Sequence, residues 1–383
     1  MKRVAIFIDD FSATGVVTNA IAIARHLQDR GCVVQLIAAQ ADGALICNVP
    51  KGISVVELLP GGKGGRSRQD RLRRSIAAFR SSVKEFAPDV LFSAGNHGHL
   101  ISALVSISLP RCRTVVRISN DLDQMISGRP HKPFSRWWRV SKFRVVAALA
   151  DKLVFVSRHM ARSKAVLGSA AIRKAVIIPN GVDVAAVRAK AKEYCSHHWL
   201  ADREQIPVVL GVGRLTVQKN FANLLQAVAI ARDTRPLRLL LIGSGPLWQE
   251  LQKEVDALGL GDIVEIMKPV TNPMPYMAKA SVVAVPSWWE GSSNVLLEAL
   301  ACGTPVVASR TAGNAEDILD FGRYGLLIDP HDAEGMAAAL LIQTSQEAQC
   351  PGDRALEFSR DATMKAYGDL ILEESAASLQ LNC

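Results

Sequence analysis

A chain of 383 residues with 49% hydrophobic content is large enough for two α/β domains, each with its own core. Its net charge of +9 admits a polyanionic partner, but it carries no helix-turn-helix, zinc-finger or RNP-like motif, so nucleic acid is not expected. Cys32, Cys47, Cys112, Cys195, Cys302, Cys350 and Cys383 are scattered, odd in number and without CxxC spacing, which argues against a zinc site or disulfide framework and for a reducing compartment.

From Met1 the chain passes through two basic residues straight into a strand, with no signal-peptide core. No apolar run approaches the roughly 18 residues of a membrane span, so a soluble or peripheral protein is expected. Apolar runs alternate with helical patterns, predicting βαβ units and mostly parallel sheets. First-domain strands are expected at Val4 to Ile8, Val33 to Ala38, Val90 to Ser93, Thr114 to Ile118, Leu153 to Val156 and Val176 to Ile178. Pro179-Asn180-Gly181 marks a turn, so the first domain is set at residues 1–182. A helical connector leads into a second domain, 183–360, with strands near Val208, Leu239, Val264, Val282, Val306 and Leu326. Residues 361–383 form a terminal helical segment.

Two segments of the second domain carry chemistry. In Val208-Val209-Leu210-Gly211-Val212-Gly213-Arg214-Leu215-Thr216-Val217-Gln218-Lys219-Asn220-Phe221, an apolar strand runs through glycines into a basic loop and then an amphipathic helix. Ligands of open α/β sheets gather outside the carboxyl ends of strands, where this loop must lie. Arg214 can fork onto phosphate oxygens and Lys219 adds a point charge. The second segment runs from Glu290 through Gly291, Ser292, Ser293 and Asn294 to Glu298, Gly303 and Val307, with two carboxylates eight positions apart. Ser292, Ser293 and Asn294 are N-cap types, so a helix opens there with unpaired amides suited to an anion, and Gly303 closes it. Glu298, inside that helix, can accept from both hydroxyls of a vicinal diol such as a ribose.

Other features weigh less. Gly243-Ser244-Gly245-Pro246-Leu247-Trp248 is similar to a dinucleotide loop, but Trp248 stands where the third glycine is required. His97 and His99 follow a strand, and His97 is a candidate acceptor-site residue. Gly15 lies in Ser12-Ala13-Thr14-Gly15-Val16 after the first strand. Asp121-Leu122-Asp123 is far in sequence from the donor residues, so no metal is expected there.

The residues resemble glycosyltransferase family 4, retaining enzymes of GT-B fold that use nucleotide-diphosphate sugars. The likeness runs from the opening strand through Ile178-Pro179-Asn180-Gly181-Val182-Asp183, the Arg/Lys loop and Leu240 to Pro246 to the Glu-x7-Glu segment. It implies two Rossmann-like domains facing a cleft, the donor on the second and the acceptor on the first, with the terminal helix crossing back. It also implies that Arg214 and Lys219 neutralise the donor diphosphate, that Gly15, where relatives have a glycine-rich loop, contacts the donor phosphates, and that Glu298 holds the ribose. Glu290, with the amides of Gly291 to Asn294, would address the transferred sugar. The expected activity is hexosyl transfer from a UDP- or GDP-linked sugar to a glycan, lipid-linked or lipid acceptor in cell-surface polysaccharide or glycolipid synthesis, without metal or other cofactor. Relatives place a histidine in the loop after the strand that corresponds to Thr114 to Ile118, where this chain has Arg117-Ile118-Ser119-Asn120, so no catalytic histidine is carried over there. A nucleotide-sugar epimerase, a phosphorylase or a non-catalytic sensor is the alternative.

Charge is uneven. Met1 to Val182 holds 28 Lys and Arg against 11 Asp and Glu, a net +17, and the remainder is −8. Arg66 to Lys84 combines seven basic residues with Leu72, Ile76, Phe79, Val83 and Phe86 at helical spacing. Arg129 to Arg144 has six basic residues, four aromatics and no acid. Both segments fit an anionic membrane surface, which places the protein in the cytoplasm at the inner face of the membrane.

Overall fold

The computed structural model describes residues 1–61, 68–95, 97–120, 133–162, 170–201, 206–345, 348–349 and 351–372. The chain divides into two compact units, Met1–Ile178 with the chain from Thr363 onward, and Pro179–Ala362. The boundary thus falls before Pro179 rather than after Val182. Val182 belongs to the second unit because its N–H donates to the Phe358 carbonyl at 2.8 Å while its carbonyl accepts from Arg360 N–H at 3.0 Å.

In the first unit seven parallel strands stand in the order β3-β2-β1-β4-β5-β6-β7. They are β1 (Arg3–Ile8), β2 (Val33–Ala38), β3 (Ser54–Glu57), β4 (Val90–Ser93), β5 (Arg113–Ile118), β6 (Lys152–Phe155) and β7 (Ala175–Ile177). Side chains of a strand alternate between faces, and β1 shows the result. Val4, Ile6 and Ile8 pack with the Gly15–Asp29 helix and with Met364, Tyr367 and Ile371 of the Arg360–Leu372 helix. Ala5 and Phe7 face Leu72, Phe79, Val83 and Phe86. The apolar stripe of the first basic segment is therefore core of its own unit, not a lipid-facing surface. That segment is two helices, Arg68–Arg74 and Ile76–Phe86, joined at the buried Ser75.

Much of this unit's positive charge also has internal partners. Arg71 forks onto Asp9, with Nη2 to Oδ2 at 2.8 Å and Nε to Oδ1 at 3.3 Å, and reaches Gln40. Arg113 donates to the carbonyls of Leu370 and Ile371, Lys2 to that of Leu372, and Arg30 pairs with Asp369, so cations fasten the end of the terminal helix where its dipole is negative. Lys174 donates to the carbonyls of Ala147, Ala148 and Ala150. In the second basic segment, described from Pro133, Phe143 is buried, and Trp138 is half-exposed with the Lys142 ammonium over its ring. Residues 121–132 and the side chains of Arg136, Trp137 and Arg139 lie outside the described residues. Among the described residues no helix is long and apolar enough to cross a membrane.

The second unit repeats the plan with six parallel strands in the order β10-β9-β8-β11-β12-β13. They are β8 (Val208–Val212), β9 (Arg238–Ile242), β10 (Val264–Met267), β11 (Val282–Val285), β12 (Val306–Ser309) and β13 (Leu326–Ile328). One core layer joins Leu210, Leu240 and Val283 to Leu296, Leu297 and Leu300, and the other joins Val209, Leu239 and Leu241 to Phe221, Leu224 and Val228. In both units the chain winds outward from a central pair, β1 with β4 and β8 with β11. The crevice at the ends of such a pair is where a doubly wound sheet binds ligands.

A candidate donor site at the β8/β11 switch point

The two chemistry-bearing segments are the loops leaving β8 and β11, the strands flanking the switch point of the second unit. They are stitched together. The Trp288 N–H donates to the Gln218 carbonyl at 2.9 Å, and Gln218 Nε2 returns a bond to the Trp289 carbonyl at 2.9 Å. Lys219 Nζ donates to Glu290 Oε1 at 2.9 Å, with Glu290 only 7% exposed. Such a half-dry ion pair is far less screened than a surface one.

Glycines make this approach possible. Gly213 has φ +154°, and a Cβ there would meet the Lys219 side chain at 3.1 Å. A Cβ on Gly243 would lie 1.8 Å from the Gly213 carbonyl oxygen, and one on Gly245 2.2 Å from that of Leu215. The Gly-Ser-Gly turn after β9 is therefore a bed for the basic loop, fixed by Leu215 N–H to the Ser244 carbonyl at 2.9 Å, and has no need of a third glycine. Arg214 is exposed on that loop, its guanidinium without a partner among the described residues.

The Asn294–Cys302 helix opens with Ser293 as N-cap, its buried hydroxyl accepting from Leu296 N–H at 3.4 Å. The amides of Asn294 and Val295 have no intrahelical acceptor, as at any helix start. Asn294 is the first helical residue, and its Oδ1 accepts from Asn180 at 2.9 Å. Gly303, at φ +80°, closes the helix. Gly291 is buried and Ser292 half-buried. The loop after β12 packs on them, where a Cβ on Gly313 would come within 2.9 Å of the Gly291 carbonyl oxygen. Burial pushes the Glu298 carboxyl up to about 7, against the opposing pull of Arg360, Lys190 and Lys219. Lys219 thus acts electrostatically on both carboxylates of the Glu-x7-Glu segment.

Sequence reasoning missed Ser287, fully buried, whose hydroxyl donates to Glu290 Oε1 at 2.6 Å. A lone serine before two tryptophans carries no signal of its own. It also missed Asn314, 3% exposed, whose side-chain amide has no partner among the described residues.

His97 and Gly15 lie in the first unit, in the loops leaving its central strands β4 and β1. Those loops touch: a Cβ on Gly95 would meet Val16 at 3.1 Å. Gly15 opens the Gly15–Asp29 helix after the N-cap Thr14, and His97 is exposed in the turn before the His99–Ser106 helix. His99 is buried, with Nδ1 at 2.8 Å from Ser93 Oγ, and burial pushes it down to about 3, so it is neutral and structural. Among the described residues one trio, His197, His198 and Glu265, places possible metal ligands together. His197 Nδ1 accepts from Trp199 N–H at 3.2 Å, so Nε2 carries the proton and donates to Glu265 at 3.1 Å. Both ring nitrogens of His197 are thereby used within the protein.

Two doubly wound units, one with a basic loop locked to a helix start and two carboxylates at its switch point, define a two-domain α/β protein with a candidate ligand site on its second unit. Residues 13–186 match the family described as Glycosyltransferase Family 4, and residues 206–343 match Glycosyl transferases group 1. A D-inositol 3-phosphate glycosyltransferase of Corynebacterium jeikeium is 30% identical over 83% of this chain and 80% of its own. An N-acetylgalactosaminyltransferase of Campylobacter jejuni, named for a diacetylbacillosaminyl-diphospho-undecaprenol acceptor, is 34% identical over 44% of each chain. Among solved structures, Anabaena HepE in complex with UDP superposes with a TM-score of 0.75 at 20% identity, covering 97% of this chain and all of that one. The chain belongs to the group 1, family 4 glycosyltransferases. It is a glycosyltransferase enzyme, and its fold is GT-B.

Proposed function

We propose that the protein is a retaining glycosyltransferase that moves a hexose from a UDP- or GDP-linked sugar to a glycan or lipid-linked acceptor in cell-surface polysaccharide or glycolipid synthesis. The observation that carries the donor assignment is the joining of the two switch-point loops through Lys219 and Glu290 beside an exposed Arg214 that has no partner among the described residues. Departure of a nucleoside diphosphate places negative charge where Arg214, Lys219 and the amides after Gly291 can stabilise it without a metal. Glu298 in its ionised form accepts both ribose hydroxyls, and Glu290 addresses the transferred sugar. Retention without a well-placed nucleophile calls for front-face attack, with the leaving phosphate taking the acceptor's proton. His97, at the switch point of the first unit, is assigned to the acceptor side of the reaction, and Gly15 is kept as a candidate contact to the donor phosphates.

The diphospho-undecaprenol-linked substrate named for the Campylobacter relative supports an acceptor of that kind, and the exposed Arg73 and Arg74 support presentation at an anionic membrane surface on the cytoplasmic side. A thermal-shift panel of UDP-glucose, UDP-galactose, UDP-N-acetylglucosamine and GDP-mannose tests the reading, because a ligand of the native state alone raises its melting point. At least one should stabilise the protein and be consumed only when an acceptor is supplied. Conversion of the donor without acceptor would point to an epimerase, and a requirement for inorganic phosphate to a phosphorylase.

A further inference from the structure

We propose that Ser287 is a positioning residue for Glu290, and that Glu290 Oε2 is the atom held out toward the transferred sugar; this rests on the donor-site reading above. Two donors converge on one oxygen of the Glu290 carboxylate. Ser287 Oγ lies 2.6 Å from Oε1 and Lys219 Nζ 2.9 Å from the same atom. Together they satisfy its two lone pairs. Oε2 accepts no hydrogen bond from the described residues. The carboxylate is thus tied at one end and open at the other.

Ser287 is itself held. Its carbonyl accepts from the hydroxyls of Ser309 and Thr311, the latter at 3.1 Å, and Ser287 and Ser309 are fully buried. The hydroxyl that orients Glu290 therefore projects from backbone clamped to the end of β12. Lys219 alone orients poorly, because an ammonium on a four-carbon stem rotates freely and is also required by the diphosphate. When a nucleotide draws Lys219 away, Ser287 is the donor that keeps the carboxylate from turning. Supporting hydrogen bonds of this kind fix the geometry of groups that touch substrate.

The test uses the full chain and the sugar nucleotide from the panel above that the wild type cleaves. Titration calorimetry with bare UDP and GDP runs alongside. Ser287→Ala should leave the Kd of the bare nucleotide within about twofold and lower kcat about 10- to 100-fold, the scale of one hydrogen bond to a charged group, with little change in KM. Ser287→Thr should restore most of the rate. In the background of Glu290→Gln, Ser287→Ala should cost nothing further, since it acts through the carboxylate already removed. Wild-type kcat in Ser287→Ala, equal losses of bare-nucleotide binding and kcat, or additive losses in the double variant would overturn the proposal. If Ser287→Ala does not fold, Thr311→Val, which loosens the Ser287 carbonyl, should give a smaller loss of the same kind, and an unchanged rate there would count against it. Failure of the wild type to bind UDP or GDP at all would instead refute the donor-site reading itself.

Discussion

Replacing Glu298 by Gln should make the empty enzyme more stable and its nucleotide complex weaker. The carboxyl is raised from an ordinary 4.5 to about 7 by burial, so the fold favours the protonated form. Stability from a raised carboxyl is fully present below 4.5 and is lost as pH rises through 7. The gap, at about 1.4 kcal/mol per pH unit, amounts to about 3 kcal/mol at pH 8. Gln mimics the neutral acid and escapes that loss. In a unit spanning Pro179–Ala362 the gain corresponds to roughly 5–10 °C at pH 8, vanishing toward pH 4.5. On the proposed reading the ribose, however, loses a charged acceptor, which should weaken nucleotide binding by about 1.5–3 kcal/mol. Differential scanning fluorimetry from pH 5 to 8.5 reads the first effect, and calorimetry with UDP and GDP the second. Wild-type affinity should rise between pH 6 and 8 more steeply than that of the variant. A variant no more stable than wild type at pH 8, or one that binds nucleotide equally well, would refute the reasoning.

Arg214→Ala and Lys219→Ala should each cost about 1.5–3 kcal/mol in nucleotide-sugar affinity by calorimetry, with circular dichroism unchanged. If two cations and helix amides face the diphosphate as proposed, saturating EDTA should leave sugar transfer largely intact in a coupled nucleotide-release assay. Arg71→Ala leaves the largely buried Asp9 without its guanidinium and should lower the melting point while leaving lipid binding unchanged. Charge reversal at Arg73, Arg74, Arg136 and Arg139 should instead release the protein from anionic vesicles in low-salt sedimentation, since each basic residue near such a surface contributes about 1 kcal/mol.

The strands were legible because parallel strands covered on both faces appear as unbroken apolar runs. The predicted Val33 to Ala38 and Val90 to Ser93 match the observed bounds of β2 and β4. The strand left out, β3, is an edge strand, and its Ser54-Val55-Val56-Glu57 is half-exposed and lacks such a run. The stripe from Leu72 to Phe86 was legible as a helix face, but periodicity does not say what a face packs against, and here it covers β1 rather than lipid. The same limit applies to charge: a net count does not show which cations, such as Arg71, Arg113 and Lys174, meet the carboxylates and helix carbonyls that the fold brings to them. At the site, Arg214, Lys219, Glu290 and Glu298 stand out by residue type and spacing. Ser287 does not, because its bond to Glu290 exists only once the loop after β11 has turned back on itself.

Hydrogen exchange with and without UDP or GDP tests the central claim most directly. Nucleotide at the β8/β11 switch point should slow amide exchange in peptides covering residues 213–220 and 290–297, the basic loop and the start of the Asn294–Cys302 helix. Protection confined to the first unit, for example to residues 94–99, with those two segments unchanged, would contradict it.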